Sequence, residues 1–103
     1  MKRLVLTAEA RLDALEAYRF YEERRPGLGT AFRDHLDVAV ATIRRDPERW
    51  PVVYRDLRRK LVARFPYSVF YRVHPRRILV VAVMHARRNP RMLIRRSEGT
   101  GEP

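Results

Sequence analysis

The apolar positions along the chain change period, and the change divides it into a helical first half and an extended second half. Lys2 to Leu6 is a short apolar stretch that predicts a first or edge strand. Thr7, followed by Glu9, supplies an N-cap and an acidic first turn. Residues 8–25 then hold good helix formers, with Ala10, Ala14, Ala17, Tyr18 and Tyr21 on one face. Pro26 and Gly27 close this helix. A second helix, starting at Leu28 or Thr30 and ending at Arg45, carries a stripe of Phe32, Leu36, Ala39, Val40 and Ile43. The short connection predicts an antiparallel helical hairpin. Asp46 and Pro47 end it, and residues 48–56, with Trp50 and Pro51, read as a loop.

Beyond Asp56 the period falls to two. Leu57 to Phe65 alternates with Arg58, Lys60 and Arg64, predicting a strand with one mostly basic face. Pro66 breaks it, and Ser68 to His74 alternates again as a second strand. Pro75 marks a tight turn over 74–77, and Ile78 to Met84 is continuously apolar, as a central strand covered on both faces should be. His85 to Pro90 leaves the sheet, Arg91 to Arg96 predicts a last helical turn, and residues 97–103 read as a disordered polar tail. The result is one α+β domain over residues 1–96: an N-terminal strand, an antiparallel helical hairpin, then a three-stranded antiparallel meander (β-α-α-β-β-β) with a short C-terminal turn or helix. The helices should cover one sheet face, leaving the basic side chains to the other face or its rim.

Charge sharpens this picture. The 103-residue chain has a net charge of +11, and 21 of its 23 basic residues are arginines. Residues 1–54 hold ten basic against nine acidic side chains, while residues 55–103 hold thirteen against three. A neutral half joined to a strongly basic one predicts a positive surface that attracts phosphates or an acidic protein. The chain lacks cysteine, which excludes disulfides, thiolate nucleophiles and cysteine zinc sites. No apolar run reaches the length of a bilayer span, and the three apolar residues after Arg3 are too few for a signal peptide, so a cytoplasmic protein is expected.

Candidate chemistry is sparse. His35, His74 and His85 are far apart in sequence, and neither a P-loop nor a GxGxxG motif is present. A triad of Ser68 or Ser97 with His85 and Asp56 has no local pattern behind it. A metal-free ribonuclease needs an acid, a base and fixed cations over the phosphate. His85, at the end of the central strand, offers an imidazole as acid or base, and Arg64, Arg72, Arg87 and Arg88 could hold phosphate. The plainer alternative makes His85 a strand-end residue bonded to a loop backbone.

Four segments resemble the RelE/ParE superfamily of bacterial toxins: Tyr21 to Gly29 with Phe32 downstream, Asp46-Pro47 to Pro51, Phe65 to Val73, and Val83 to Pro90. The Phe65-Pro66-Tyr67 strand entry and the His85-x-Arg87-Arg88 strand exit are the most specific parts. The resemblance implies a type II toxin neutralised by a cognate antitoxin, which wraps an acidic or amphipathic C-terminal segment around it. RelE-like members cut mRNA on the ribosome without a metal; ParE-like members bind DNA gyrase and block it. Ser68 stands where RelE-like enzymes have arginine, and Leu93 where they have a catalytic tyrosine. These departures favour the ParE-like branch.

The resemblance assigns Arg64, Arg72, His85, Arg87 and Arg88 to target binding, and Tyr18, Tyr21 and Arg59 to the antitoxin. In the nuclease branch His85 and Arg88 would be catalytic. It implies neither cofactor nor metal. A third reading, a non-toxic basic nucleic-acid-binding module, rests on charge alone.

Overall fold

Thr7 starts the helical layer as expected, its hydroxyl accepting the Ala10 N–H at 3.0 Å. The computed structural model describes residues 1–85 and 90–99. Its elements are β1 (Arg3–Leu6), α1 (Ala8–Arg24), α2 (Leu28–Arg45), β2 (Val52–Tyr54), β3 (Leu57–Leu61), β4 (Tyr67–Val73), β5 (Arg77–His85) and α3 (Pro90–Gly99).

The turn between the helices rests on Glu22. Gly27 sits at φ +92°, a conformation that a Cβ would strain, and has no side chain with which to cap α2. The Glu22 carboxylate reaches across from α1 instead and accepts the N–H groups of Gly27 and Gly29, each at 3.0 Å. A Cβ on Gly29 would lie 2.6 Å from the Tyr18 carbonyl oxygen, so only glycine lets the helices approach this closely. Phe32, Leu36, Ala39 and Ile43 are buried along α2, and Ala10 and Ala17 along α1.

The helices lie on a five-stranded sheet of order β1-β5-β4-β3-β2. β1 runs parallel to β5, from Arg3 opposite Arg77 to Leu6 opposite Val80, and the other neighbours are antiparallel. The α+β architecture and the element order agree with expectation, and three details differ. Residues 52–54 form an additional edge strand inside the expected loop; it is three residues long, follows Pro51 and is irregular, so it has no periodicity to detect. β3 stops at Leu61, because Arg64 takes φ +69° and the Val62 N–H bonds the Tyr67 carbonyl at 2.9 Å. The last helix runs on to Gly99, where a disordered tail was expected from residue 97, because Ser97 is buried against Arg72. Residues 100–103 lie outside the described residues.

β5 contains a bulge that its uniform apolar run conceals. Phe70 pairs with Ala82 but Tyr71 with Val80, leaving Val81 as the extra residue. Ile78, Val80 and Val83 therefore face the helical hairpin, whereas Leu79, Val81, Ala82 and Met84 face the opposite side. The middle of that opposite face is apolar: Leu57 joins it from β3, and Met92 and Leu93 of α3 pack against it. Arg59 on β3 and Arg3 and Arg77 at the strand starts leave this same face around its apolar middle, and Arg72 is buried towards one end of it.

Candidate functional site

Two of the predicted target residues come together at one end of the sheet. His85 ends β5 directly opposite Tyr67 and packs edge-on against its ring, with centroids 5.4 Å apart. Tyr67 in turn contacts Phe32 at 5.1 Å and Tyr21 at 6.0 Å, so His85 extends an aromatic cluster that also includes Phe65. Arg64, exposed on the turn between β3 and β4, stands at the same end. Arg59 is exposed on β3, paired with Phe70. Arg87 and Arg88 lie outside the described residues.

Arg72 does not join this group. It lies five residues along β4 from Tyr67, about 17 Å away at the usual strand rise, and is 7% exposed. Its guanidinium donates to Asp56 Oδ1 at 3.0 Å, to the Ser97 carbonyl at 2.9 Å and to Ser97 Oγ at 3.1 Å. In this conformation it fastens the end of α3 to the sheet, and a partner could reach it only by displacing that helix. Ser97 and Asp56 thus meet at Arg72, while Ser68 is buried on the same sheet face, its Oγ without a hydrogen-bond partner among the described residues.

A second arginine, its side chain 9% exposed, fastens the last turn of α3. Arg96 donates to both oxygens of Asp13 on α1 and to the Val81 carbonyl. Asp13 Oδ2 also accepts the Val83 N–H at 3.0 Å, so the pair occupies the edge of β5 just past the point where β1 stops. The hydrogen bond that Arg96 donates to Asp13 raises the Arg96 pKa against the opposing effect of burial. Sequence reading missed this pair, since 83 residues separate its members.

The residues expected to meet the antitoxin divide. Tyr21 is half-buried against the core, stacked on Phe32 at 5.5 Å and set edge-on to Phe65 at 4.9 Å, and burial raises its hydroxyl pKa. Tyr18 faces outward, with Arg33 over its ring at 5.2 Å. It lines a groove of about 220 Å³ between α1 and α2, together with Ala14, Leu15, Phe32 and Leu36. Leu12, Leu15 and Phe20 along α1 are 53, 42 and 44% exposed. Sequence reading passed over them, although apolar residues outside the core stripe of α1 were the available signal.

Among the described residues, no group of three His, Cys, Asp or Glu side chains gathers to hold a metal ion. Nor is any helix among them long and apolar enough to cross a membrane.

The family model for the ParE toxin of the type II toxin–antitoxin system parDE matches residues 4–90. Among solved structures, the chain is similar to one described as the chromosomal ParDE TA system from P. aeruginosa, with a TM-score of 0.75 and 19% identity over 82% of this chain and 96% of that one. At that identity the likeness is one of fold. Comparison with curated proteins finds no match. With the family model spanning most of the chain and the strand–hairpin–meander fold in place, the chain belongs to the ParE family of type II toxin–antitoxin toxins.

Proposed function

We propose that this toxin acts in the cytoplasm by binding DNA gyrase and blocking replication, and that a cognate antitoxin neutralises it. The observation that carries this reading is the composition of the sheet face beneath α3. Phosphoryl chemistry without a metal needs an acid, a base and cations arranged around one phosphate. Ser68 is buried on that face where a RelE-like nuclease would place arginine, and Leu57, Val81, Ala82 and Met84 share it beneath Met92 and Leu93. Leu93, in the place of the nuclease tyrosine, is one of the side chains closing the apolar layer.

Target contact falls to the rim at the His85 end of the sheet, where the turn carrying Arg64 also lies, and to Arg87 and Arg88, as the resemblance implies. Tyr18, with Leu15 in the groove between α1 and α2, offers an amphipathic antitoxin segment an apolar seat. Arg59 on β3 offers an acidic segment a counter-charge.

Pulse labelling after induction in a bacterium tests the reading. DNA synthesis should fall before protein synthesis, and the purified chain should inhibit supercoiling by gyrase. An early fall in protein synthesis with cleaved mRNA, abolished by His85→Ala, would establish the ribosome-dependent nuclease instead.

A further inference from the structure

The end of the sheet farthest from His85 carries a basic cluster that the toxin reading does not use. β5 starts there at Arg77, about 26 Å from His85 at the usual rise per residue. The parallel register sets Arg3 of β1 directly opposite Arg77, so two guanidinium groups leave the same sheet face from neighbouring strands. Like charges directly opposite one another destabilise a sheet. Arg76 precedes Arg77 in the turn, where the His74 N–H bonds the Arg77 carbonyl at 2.8 Å. Arg44, at the end of α2, donates to the Lys2 carbonyl at 3.1 Å and brings Arg45 to the same end.

None of these cations is balanced internally. Among the described residues the ion pairs involve Arg55, Arg72 and Arg96, and none involves Lys2, Arg3, Arg44, Arg45, Arg76 or Arg77. The nearby carboxylates do not change this. Asp56 is engaged by Arg72, Asp37 lines a hollow with Arg44 and Arg45 without pairing, and Glu48 lines another with Lys2, Arg58 and His74. Arg44 and Arg45 also answer the negative end of the α2 dipole, which accounts for two of the six. Lys2, Arg3, Arg76 and Arg77 have no such role. Two buried nitrogens at this end, His74 Nε2 and Arg77 Nε, have no hydrogen-bond partner among the described residues.

We propose that this pole binds the phosphate backbone of a nucleic-acid duplex without reading its sequence. Protein partners draw their affinity from desolvated apolar anchors, aromatic ones above all, and the exposed large apolar residues lining the hollows at this end are Met1 and Val52, neither of them aromatic. Single strands are held by stacking on exposed aromatic rings, and the aromatic among the exposed large apolar residues, Phe20, belongs to α1. What remains is a row of forked cations, the surface that phosphates bind by releasing counterions.

The test is fluorescence anisotropy of the full-length chain with random-sequence duplexes of about twenty base pairs, DNA and RNA, titrated across 50–200 mM salt. A triple variant at exposed positions, Arg3→Ala, Arg45→Ala and Arg76→Ala, should lose tenfold or more in affinity at 100 mM salt. Its slope of log K against log salt should flatten by about 0.9 for each phosphate contact removed. The equally charged control, Arg11→Ala, Arg19→Ala and Arg25→Ala, all exposed along or at the end of α1, should bind as the parent does, with both variants retaining the parent's circular dichroism. Equal losses in the two triples would overturn the proposal by reducing it to net charge. So would failure of the chain to bind either duplex while it binds polyglutamate or phosphatidylglycerol vesicles, which would assign the pole to an acidic protein or a membrane surface.

Discussion

On its hairpin side the sheet meets Phe32, Leu36, Ala39 and Ile43 of α2, with Tyr21, Phe65 and Tyr67 interlocked around Phe32. On its other side α3 brings Met92 and Leu93 to a smaller apolar layer, and buried arginines hold the helix in place. The first closure draws on apolar burial, at about 1.5–3 kcal/mol for each large side chain. The second sets Coulomb attraction against the cost of desolvating two guanidinium groups, a balance that can come out near zero. One sheet thus has a face that is hard to open and a face whose cover depends on a few charges being matched.

Phe32→Ala should have the largest effect, lowering unfolding free energy by about 4 kcal/mol in urea titration, because the ring lies at the centre of the aromatic cluster. A loss below about 1 kcal/mol would remove the distinction between the faces. Asp13→Asn should cost about 3 kcal/mol by removing the nearer counter-charge of Arg96 and leaving it only Glu9, at 3.9 Å. Hydrogen exchange should then quicken first in α3 while β4 and β5 stay protected; uniform exchange would show that the charged pair secures the whole sheet. Tyr71→Phe should cost about 1 kcal/mol near neutral pH, since the buried hydroxyl donates to the Pro47 carbonyl at 2.6 Å. Burial pushes the Tyr71 hydroxyl from 10.0 up to about 12. The stability tied to its protonated form is complete below pH 10 and lost as pH rises through 12. The deficit of the variant should therefore narrow above pH 10 and reverse before pH 12. A constant deficit would mean the hydroxyl ionises in the fold as it does in the unfolded chain.

The hairpin side was legible in the sequence because its information is periodic. The stripe from Phe32 to Ile43 and the break at Pro26-Gly27 place α2 to within a residue or two. The α3 side was not, because its information is pairwise and long-range. Arg72, in an alternating strand, reads as an exposed cation until Asp56 and Ser97 arrive from distant segments to bury it. The bulge at Val81 is hidden by the very uniformity of its apolar neighbours. At the site, His85 ends its strand as the sequence suggested, whereas Arg64, read as part of a strand, stands on the turn after β3 because its backbone takes a positive φ. Tyr21 was not separable from Tyr18, since both lie on the same helical stripe and only the third dimension shows which one turns inward.

The parallel pairing of β1 with β5 also sets an order of events at birth. Arg3 leaves the ribosome about seventy residues before its partner Arg77, which at 5–20 residues per second is a delay of roughly 4–15 seconds. Through that interval β1 and the hairpin have no central strand to close against, and the apolar stripe of α2 faces solvent. A toxin built this way cannot complete its sheet, or present Arg64 beside His85, until nearly the whole domain has been synthesised. Its fold is its own delay, and an antitoxin already present has those seconds in which to meet the chain before it is finished.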